Sequence, residues 1–143
     1  GYSAICLASG LKSGGMLWTV EQNLELKPII EKYILLSGNR EKIKPLFGRF
    51  EEIFDLIPDG IDLAFLDAGK REYDLHFEII LKKLKKGGWL LIDNVLWSGK
   101  VVQSEKDKDT KIIRAFNKKI AEDNRIEKLL LPIRDGIFMI QKR

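Results

Sequence analysis

Gly88-Trp89-Leu90-Leu91-Ile92-Asp93-Asn94-Val95-Leu96-Trp97 is an apolar run that stops abruptly at a carboxylate and an amide. Its length and composition predict a strand buried on both faces, as in a parallel sheet. An acid is costly inside such a strand, but at the strand's mouth a ligand or an ion can compensate it. A second run, Ile61-Asp62-Leu63-Ala64-Phe65-Leu66-Asp67, ends in the same way. Two strands that finish in Asp, one of them with an amide beside it, mark a place where a hard cation can be held.

Working outward, the segments on either side alternate between strand and helix. Upstream, Ser3 to Ser9 has helical character, and Met16 to Glu21 reads as a buried strand ending in an acid. Asn23 is a candidate cap for a helix whose apolar residues are Leu26, Ile29, Ile30, Tyr33 and Ile34. Pro28 either delays the start of that helix or kinks its first turn. Lys42 to Phe47 is a weaker strand, interrupted by Pro45. Between the two Asp-ended strands, Tyr73, Phe77, Ile80, Leu81 and Leu84 fall at helical spacing, with Gly87-Gly88 as the expected stop. Downstream, the polar stretch from Ser98 to Asp109 is long enough for a functional loop. It precedes a helix marked by Ile112, Ile113, Phe116 and Ile120. Two strands follow, 126–131 and 137–140, with no helix between them, which predicts an antiparallel pair at one edge. The whole predicts an α/β fold with a doubly wound, mostly parallel sheet and an antiparallel edge strand. Ligands of such sheets bind outside the carboxyl ends of the strands, where Gly1, Glu21, Gly48, Asp67 and Asp93 all fall.

Composition sets the outer limits. The chain has 143 residues, 45% hydrophobic and 32% charged, which suits one domain able to bury roughly 65–70% of its unfolded surface. Cys6 is the only cysteine, so a disulfide framework and a cysteine-rich zinc site within the chain are excluded, and a reducing, cytoplasmic setting is expected. No apolar stretch approaches the roughly 20 residues needed to span a bilayer. The net charge is +4. Much of the excess sits in Lys82-Lys83-Leu84-Lys85-Lys86, which reads as a solvated helix end or, alternatively, as a basic edge that meets nucleic acid.

Several side chains can carry chemistry. Glu21 is placed to accept the hydroxyls of a ribose, and the Gly1-Tyr2-Ser3 turn offers backbone N–H groups at a helix start; a surface acid and a plain capping turn are the alternatives. Asp67, Asp93 and Asn94 are hard oxygen donors suited to Mg²⁺, Mn²⁺ or Ca²⁺ and poorly suited to zinc. Lys70 follows Asp67 closely enough to reach the same mouth, where it is a candidate general base. Trp97 is either a wall of an aromatic substrate pocket or a packed loop anchor. His76 reads as an exposed or half-buried spectator, Cys6 as a small core residue, and Trp18 and Trp89 as strand core.

These blocks, taken in order, resemble the cation-dependent class I O-methyltransferases of the catechol and caffeoyl-coenzyme A type and their bacterial relatives. The matching residues are Gly1-Tyr2-Ser3-Ala4, Val20-Glu21-Gln22-Asn23, Phe65 to Lys70, Asp93 to Trp97 and Pro132 to Gly136. The resemblance implies S-adenosylmethionine, with Glu21 on its ribose and Gly1, Tyr2 and Ser3 near its methionine end. It places Gly48, Arg49, Phe50 and Asp67 among the cofactor-binding positions. It also implies a divalent cation on Asp67, Asp93 and Asn94, with Mg²⁺ expected ahead of Mn²⁺ or Ca²⁺, and Lys70 assisting deprotonation of the acceptor hydroxyl. The expected acceptor is a small aromatic diol, with a wall at Trp97, and the full-length protein is expected to be a homodimer.

The chain departs from the pattern in three places. The strand and glycine-rich turn expected before Gly1 are absent, as are the family's N-terminal helices, so residues 1–143 are expected to be a single methyltransferase domain with more chain upstream. Arg49 follows Gly48 where a small or acidic residue is usual, and Pro28 replaces a helix-compatible residue. Two other functions fit parts of the pattern: methylation of a hydroxylated uridine in tRNA, consistent with the mild basicity, and a non-catalytic nucleotide-binding Rossmann domain. Hydride transfer has no need of the Asp67/Lys70/Asp93/Asn94 set, which counts against the last.

Overall fold

A computed structural model describes residues 1–104 and 107–143. The chain divides into two compact units, Gly1–Ile57 and Pro58–Arg143.

The first unit contains helix α1 (Tyr2–Ser9), strand β1 (Leu17–Glu21), helix α2 (Lys27–Leu36), strand β2 (Ile43–Phe47) and the short helix α3 (Phe50–Ile53). β1 and β2 pair in parallel, with Glu21 opposite Phe47. Pro45 is tolerated because β2 has one strand neighbour, so its missing N–H breaks no second ladder. Pro28 falls in the first turn of α2, where an N–H has no intrahelical partner in any case, so it marks a late start and not a kink. Asn23 caps a short turn ahead of α2 by accepting from the Glu25 N–H at 3.0 Å. Ala4 and Ala8 form the buried face of α1 and pack with Ile30, Ile34 and Ile43. Cys6 lies about 200° around the helix from each alanine and is exposed, contrary to its expected place in the core.

The second unit contains strand β3 (Ile61–Leu66), helix α4 (Tyr73–Lys83), strand β4 (Leu84–Ile92), helix α5 (Lys108–Glu122) and strands β5 (Ile126–Leu131) and β6 (Ile137–Lys142). The strand order is β3-β4-β6-β5, with β3 and β4 parallel and β6 antiparallel to both of its neighbours. The expected α/β class and the antiparallel pair at one edge are therefore present, and β6 is the inner member of that pair. Helix α4 ends at Lys83, earlier than the Gly87-Gly88 stop. Both glycines belong to β4, and a side chain at Gly88 would meet the Ile61 carbonyl oxygen at 2.8 Å. The lysine run is thus shared between a helix end and a strand. Lys83 is buried and pairs with Asp59 at 3.1 Å, so it is not part of a solvated helix end.

The opening stretch is buried on one face only. Leu90 and Ile92 are fully buried, whereas Trp89, on the opposite face, is 38% exposed. Its cross-strand neighbour Leu63 is 50% exposed and Phe65 is 40% exposed, so this face of the sheet is open along β3 and β4. Trp89 is not core. The covered face packs on α4 and α5, where Tyr73, Phe77 and Phe116 meet edge-on at 5.6 and 6.0 Å between ring centres. His76 stands three residues after Tyr73, inside the buried stripe of α4, and is buried rather than a spectator at the surface. Among the described residues no helix is long and apolar enough to cross a membrane.

Candidate functional site

In the first unit, the parallel pairing of β1 and β2 brings Glu21 and Gly48 together. The Gly48 N–H donates to the Glu21 carbonyl at 3.0 Å. The Glu21 carboxylate folds back over its own turn and accepts the Asn23 N–H at 2.8 Å through Oε1. Gly1, Tyr2 and Glu21 line one cavity of about 400 Å³, with Leu26, Ile29 and Tyr33 from the α2 segment on its wall. Gly1 opens α1 and its carbonyl accepts the Ile5 N–H at 3.1 Å. Ser3 is exposed and does not line that cavity. Arg49, paired to Glu51 at 2.5 Å, and Phe50, tilted against Phe54 at 6.5 Å, follow Gly48 outside it.

The second unit gathers the other candidates around one nitrogen. Parallel pairing places the ends of β3 and β4 side by side, with the Asp93 N–H donating to the Leu66 carbonyl at 3.1 Å. Lys70 lies in the turn 70–72 just beyond Asp67. Its ammonium donates to Asn94 Oδ1 at 3.0 Å and to the Tyr73 hydroxyl, and lies 3.7 Å from Asp67 Oδ1. Tyr73 in turn donates its proton to the Asp93 carbonyl at 2.9 Å. The Lys70 side chain is 12% exposed. Burial lowers its pKa, while Asp67 first and then Asp93 and Asp135 act in the opposite direction. Burial also raises the Tyr73 phenol, aided by Asp67, Asp93 and Asp135, so Tyr73 stays protonated and donates.

Tyr73 and Asp135 are among the site residues to which the sequence assigns no chemistry. Tyr73 fits the apolar stripe of α4 as a plain core aromatic, and only its hydroxyl partners reveal a second role. Asp135 belongs to the Pro132 to Gly136 block, whose sequence by itself assigns it no role. Its turn clamps the loop after β4: its carbonyl accepts the Leu96 N–H at 2.8 Å, the Gly136 carbonyl accepts the Val95 N–H at 3.2 Å, and its carboxylate accepts the Ser98 N–H. A side chain at Gly136 would run into Leu96. The clamped loop holds Asn94, Trp97 and Ser98 at φ values of 57°, 51° and 54°. Left-handed backbone at three non-glycine residues is costly, and it concentrates where a constellation is held in place. Trp97 and Lys70 line a second cavity of about 460 Å³, together with Ala68, Gly69, Arg71 and Asp109.

A hard cation fits the donors present. One Asp67 oxygen faces Lys70 and the other has no partner among the described residues, and the Asp67 side chain is 55% exposed. Asp93 uses Oδ1 to accept the Asn94 N–H at 2.7 Å, leaving Oδ2. The Asn94 Oδ1 that accepts from Lys70 has a second lone pair. Among the described residues no group of three His, Cys, Asp or Glu side chains gathers as a metal cluster. A cation here would therefore use the Asn94 amide as its third protein donor, a chemistry open to Mg²⁺ or Ca²⁺.

Comparison with known proteins agrees with the blocks read from the sequence. A family model described as O-methyltransferase matches residues 1–143. "Probable caffeoyl-CoA O-methyltransferase 2" of Dictyostelium discoideum is 41% identical over 104 residues, which cover 71% of this chain and 45% of that protein. Caffeoyl-CoA O-methyltransferase 1 of Eucalyptus globulus is 33% identical over 158 residues, covering 99% of this chain and 63% of that protein. The crystal structure of the O-methyltransferase from Bacillus cereus in complex with SAH is 27% identical with a TM-score of 0.89, covering 100% of this chain and 70% of that one. The chain thus spans about half the length of the first of these curated relatives.

Proposed function

The chain belongs to the O-methyltransferase family, and on that premise we propose that residues 1–143 act as one S-adenosylmethionine-dependent domain that methylates a cation-activated hydroxyl of a catechol-like aromatic diol. The observation that carries the proposal is the convergence of Asp67, Tyr73 and Asn94 on the Lys70 nitrogen. In the first unit, Glu21 would take the cofactor's ribose hydroxyls with the carboxylate oxygen not spent on Asn23, and Gly1, Tyr2 and Ser3 would stand near the methionine end. Asp67, Asp93 and Asn94 would hold the divalent cation. When bound, the cation would supply Lewis-acid polarisation of the acceptor hydroxyl, and S-adenosylmethionine would supply the methyl group.

The protein's own part is the management of one proton. A neutral lysine amine has two N–H bonds and one lone pair. In that form Tyr73 and Asn94 would each accept one N–H bond, and with Asp67 Oδ1 at 3.7 Å, beyond ordinary hydrogen-bond reach, the lone pair of Lys70 Nζ would take the acceptor's hydroxyl proton. Burial favours that neutral form. Tyr73 fixes the amine by giving its own proton to the Asp93 carbonyl, so its oxygen remains an acceptor. Trp97 would bound the aromatic ring of the acceptor. A homodimeric, cytoplasmic full-length protein completes the proposal.

The test is methyl transfer from labelled S-adenosylmethionine by the full-length protein, offered catechols and tRNA in parallel with Mg²⁺ present. Label in the catechols is the expected result. Label in tRNA alone would contradict the small-molecule acceptor.

A further inference from the structure

Next to Lys70 stands a second cation that the proposed chemistry does not use. Arg71 lies in the same turn and lines the same cavity of about 460 Å³ as Lys70 and Trp97. Its Nε donates to Asp109 Oδ1 at 3.4 Å, and its side chain is 62% exposed. Asp109 sits in the first turn of α5, so the guanidinium is tied along one edge to a different element. Its two terminal nitrogens have no partner among the described residues. Other arginines of this unit are used differently. Arg114 spends its guanidinium on the carbonyls of Lys100, Val101 and Gln103, and Arg125 spends its own on Glu78 and Asp123.

A guanidinium held at Nε, with both terminal nitrogens unpartnered among the described residues, is oriented for end-on, two-bond capture of a carboxylate. Lys70 cannot serve that purpose, because Tyr73 and Asn94 already occupy it.

We propose that Arg71 is a specificity-determining residue that selects, among hydroxylated aromatic acceptors, those bearing a carboxylate. The two terminal nitrogens take the carboxylate while the ring occupies the cavity bounded by Trp97. This rests on the assignment of that cavity to the acceptor, and binding rather than turnover therefore tests it.

The experiment measures, by calorimetry on the full-length protein with Mg²⁺, the dissociation constants of catechol, 3,4-dihydroxybenzoate and caffeate for wild type, Arg71→Ala and Arg71→Lys. The two carboxylated probes place the anion at different distances from the diol. Arg71→Ala is expected to weaken at least one of them about tenfold, the effect of losing a partly exposed charge-assisted pair. Catechol should stay within about twofold, and Arg71→Lys should recover part of the loss, since it keeps the charge but not the fork. Equal weakening of all three probes, no weakening of any, or failure of wild type to bind either carboxylate overturns the proposal. Methyl transfer to the same probes is scored separately. Selective binding without transfer would keep the Arg71 assignment and remove the enzymatic one, and transfer with an unselective Arg71→Ala would do the reverse.

Discussion

The two units use their apolar residues differently. In Pro58–Arg143 the central strand β4 has neighbours on both sides, and Leu90, Ile92, Phe77 and Tyr73 are fully buried beneath the polar network that Lys70 anchors. In Gly1–Ile57 two strands share a single ladder, every residue of β1 is half-buried, and Leu26, Ile29 and Tyr33 stand exposed around a cavity. The second unit is built to hold side chains at fixed positions. The first offers mainly backbone turns and one carboxylate. The difference matches the proposed roles: a base would need the fixed, largely buried position that Lys70 has, whereas the proposed hold on ribose hydroxyls would need little beyond the Glu21 carboxylate at a strand end.

Variants in the two units should therefore fail in different ways. The largest effect is expected for Lys70→Ala, which removes the proposed base. Its kcat should fall by about 10² or more, while cofactor affinity, measured by equilibrium binding, changes little. An unchanged rate would take the base role from Lys70. Glu21→Ala should show the opposite pattern. Cofactor binding should weaken by about 10- to 100-fold, as expected for the loss of a charged hydrogen-bond acceptor, and kcat at saturating cofactor should stay near wild type. Equal cofactor affinity in the variant would break the division of labour between the units.

Tyr73→Phe keeps the ring between Lys70 and Phe116 but removes the hydroxyl that positions the amine. Stability should fall by about 1 kcal/mol, and kcat should fall more than KM rises. A loss of stability with kcat untouched would reduce Tyr73 to a packing residue. The smallest effect concerns the α4–α5 face. Arg125 and then Lys119 hold the Glu78 carboxyl down to about 2. A carboxyl held below its unfolded value contributes stability above the unfolded value and loses it as pH falls toward 2. Glu78→Gln should therefore cost about 1 kcal/mol near neutrality, discounted for exposure. The difference from wild type should close between about pH 4.5 and 2 in denaturant titrations. A gap that stayed constant through that range would mean that ionisation is not its cause.

Sequence alone exposed the mouth of the sheet because Asp93-Asn94 and Asp67 end apolar runs so abruptly, and an acid at the end of a buried run has few physical excuses. It exposed Lys70 by proximity. Tyr73 stayed hidden because an aromatic in a helical apolar stripe reads the same whether or not its hydroxyl reaches a polar network. Arg71 stayed hidden because a charged residue in a polar turn looks solvated until its cavity and its partner Asp109 are seen. Trp89 and Cys6 misled for a related reason. Periodicity tells which residues share a face of a strand or helix, but not whether anything covers that face. The left-handed backbone of Trp97 and Ser98 had no sequence signal, since neither is glycine or asparagine and the Asp135 turn that clamps their loop is distant in the chain.

The central claim is that the Asp67–Asp93–Asn94 mouth activates an acceptor hydroxyl with the help of a divalent cation. It is tested most directly by the rate of methyl transfer from full-length protein to a catechol, measured in excess chelator and again after Mg²⁺ is restored. The account predicts loss of transfer with chelator and recovery with Mg²⁺, and no recovery in Asp93→Ala. An undiminished rate in chelator would contradict it.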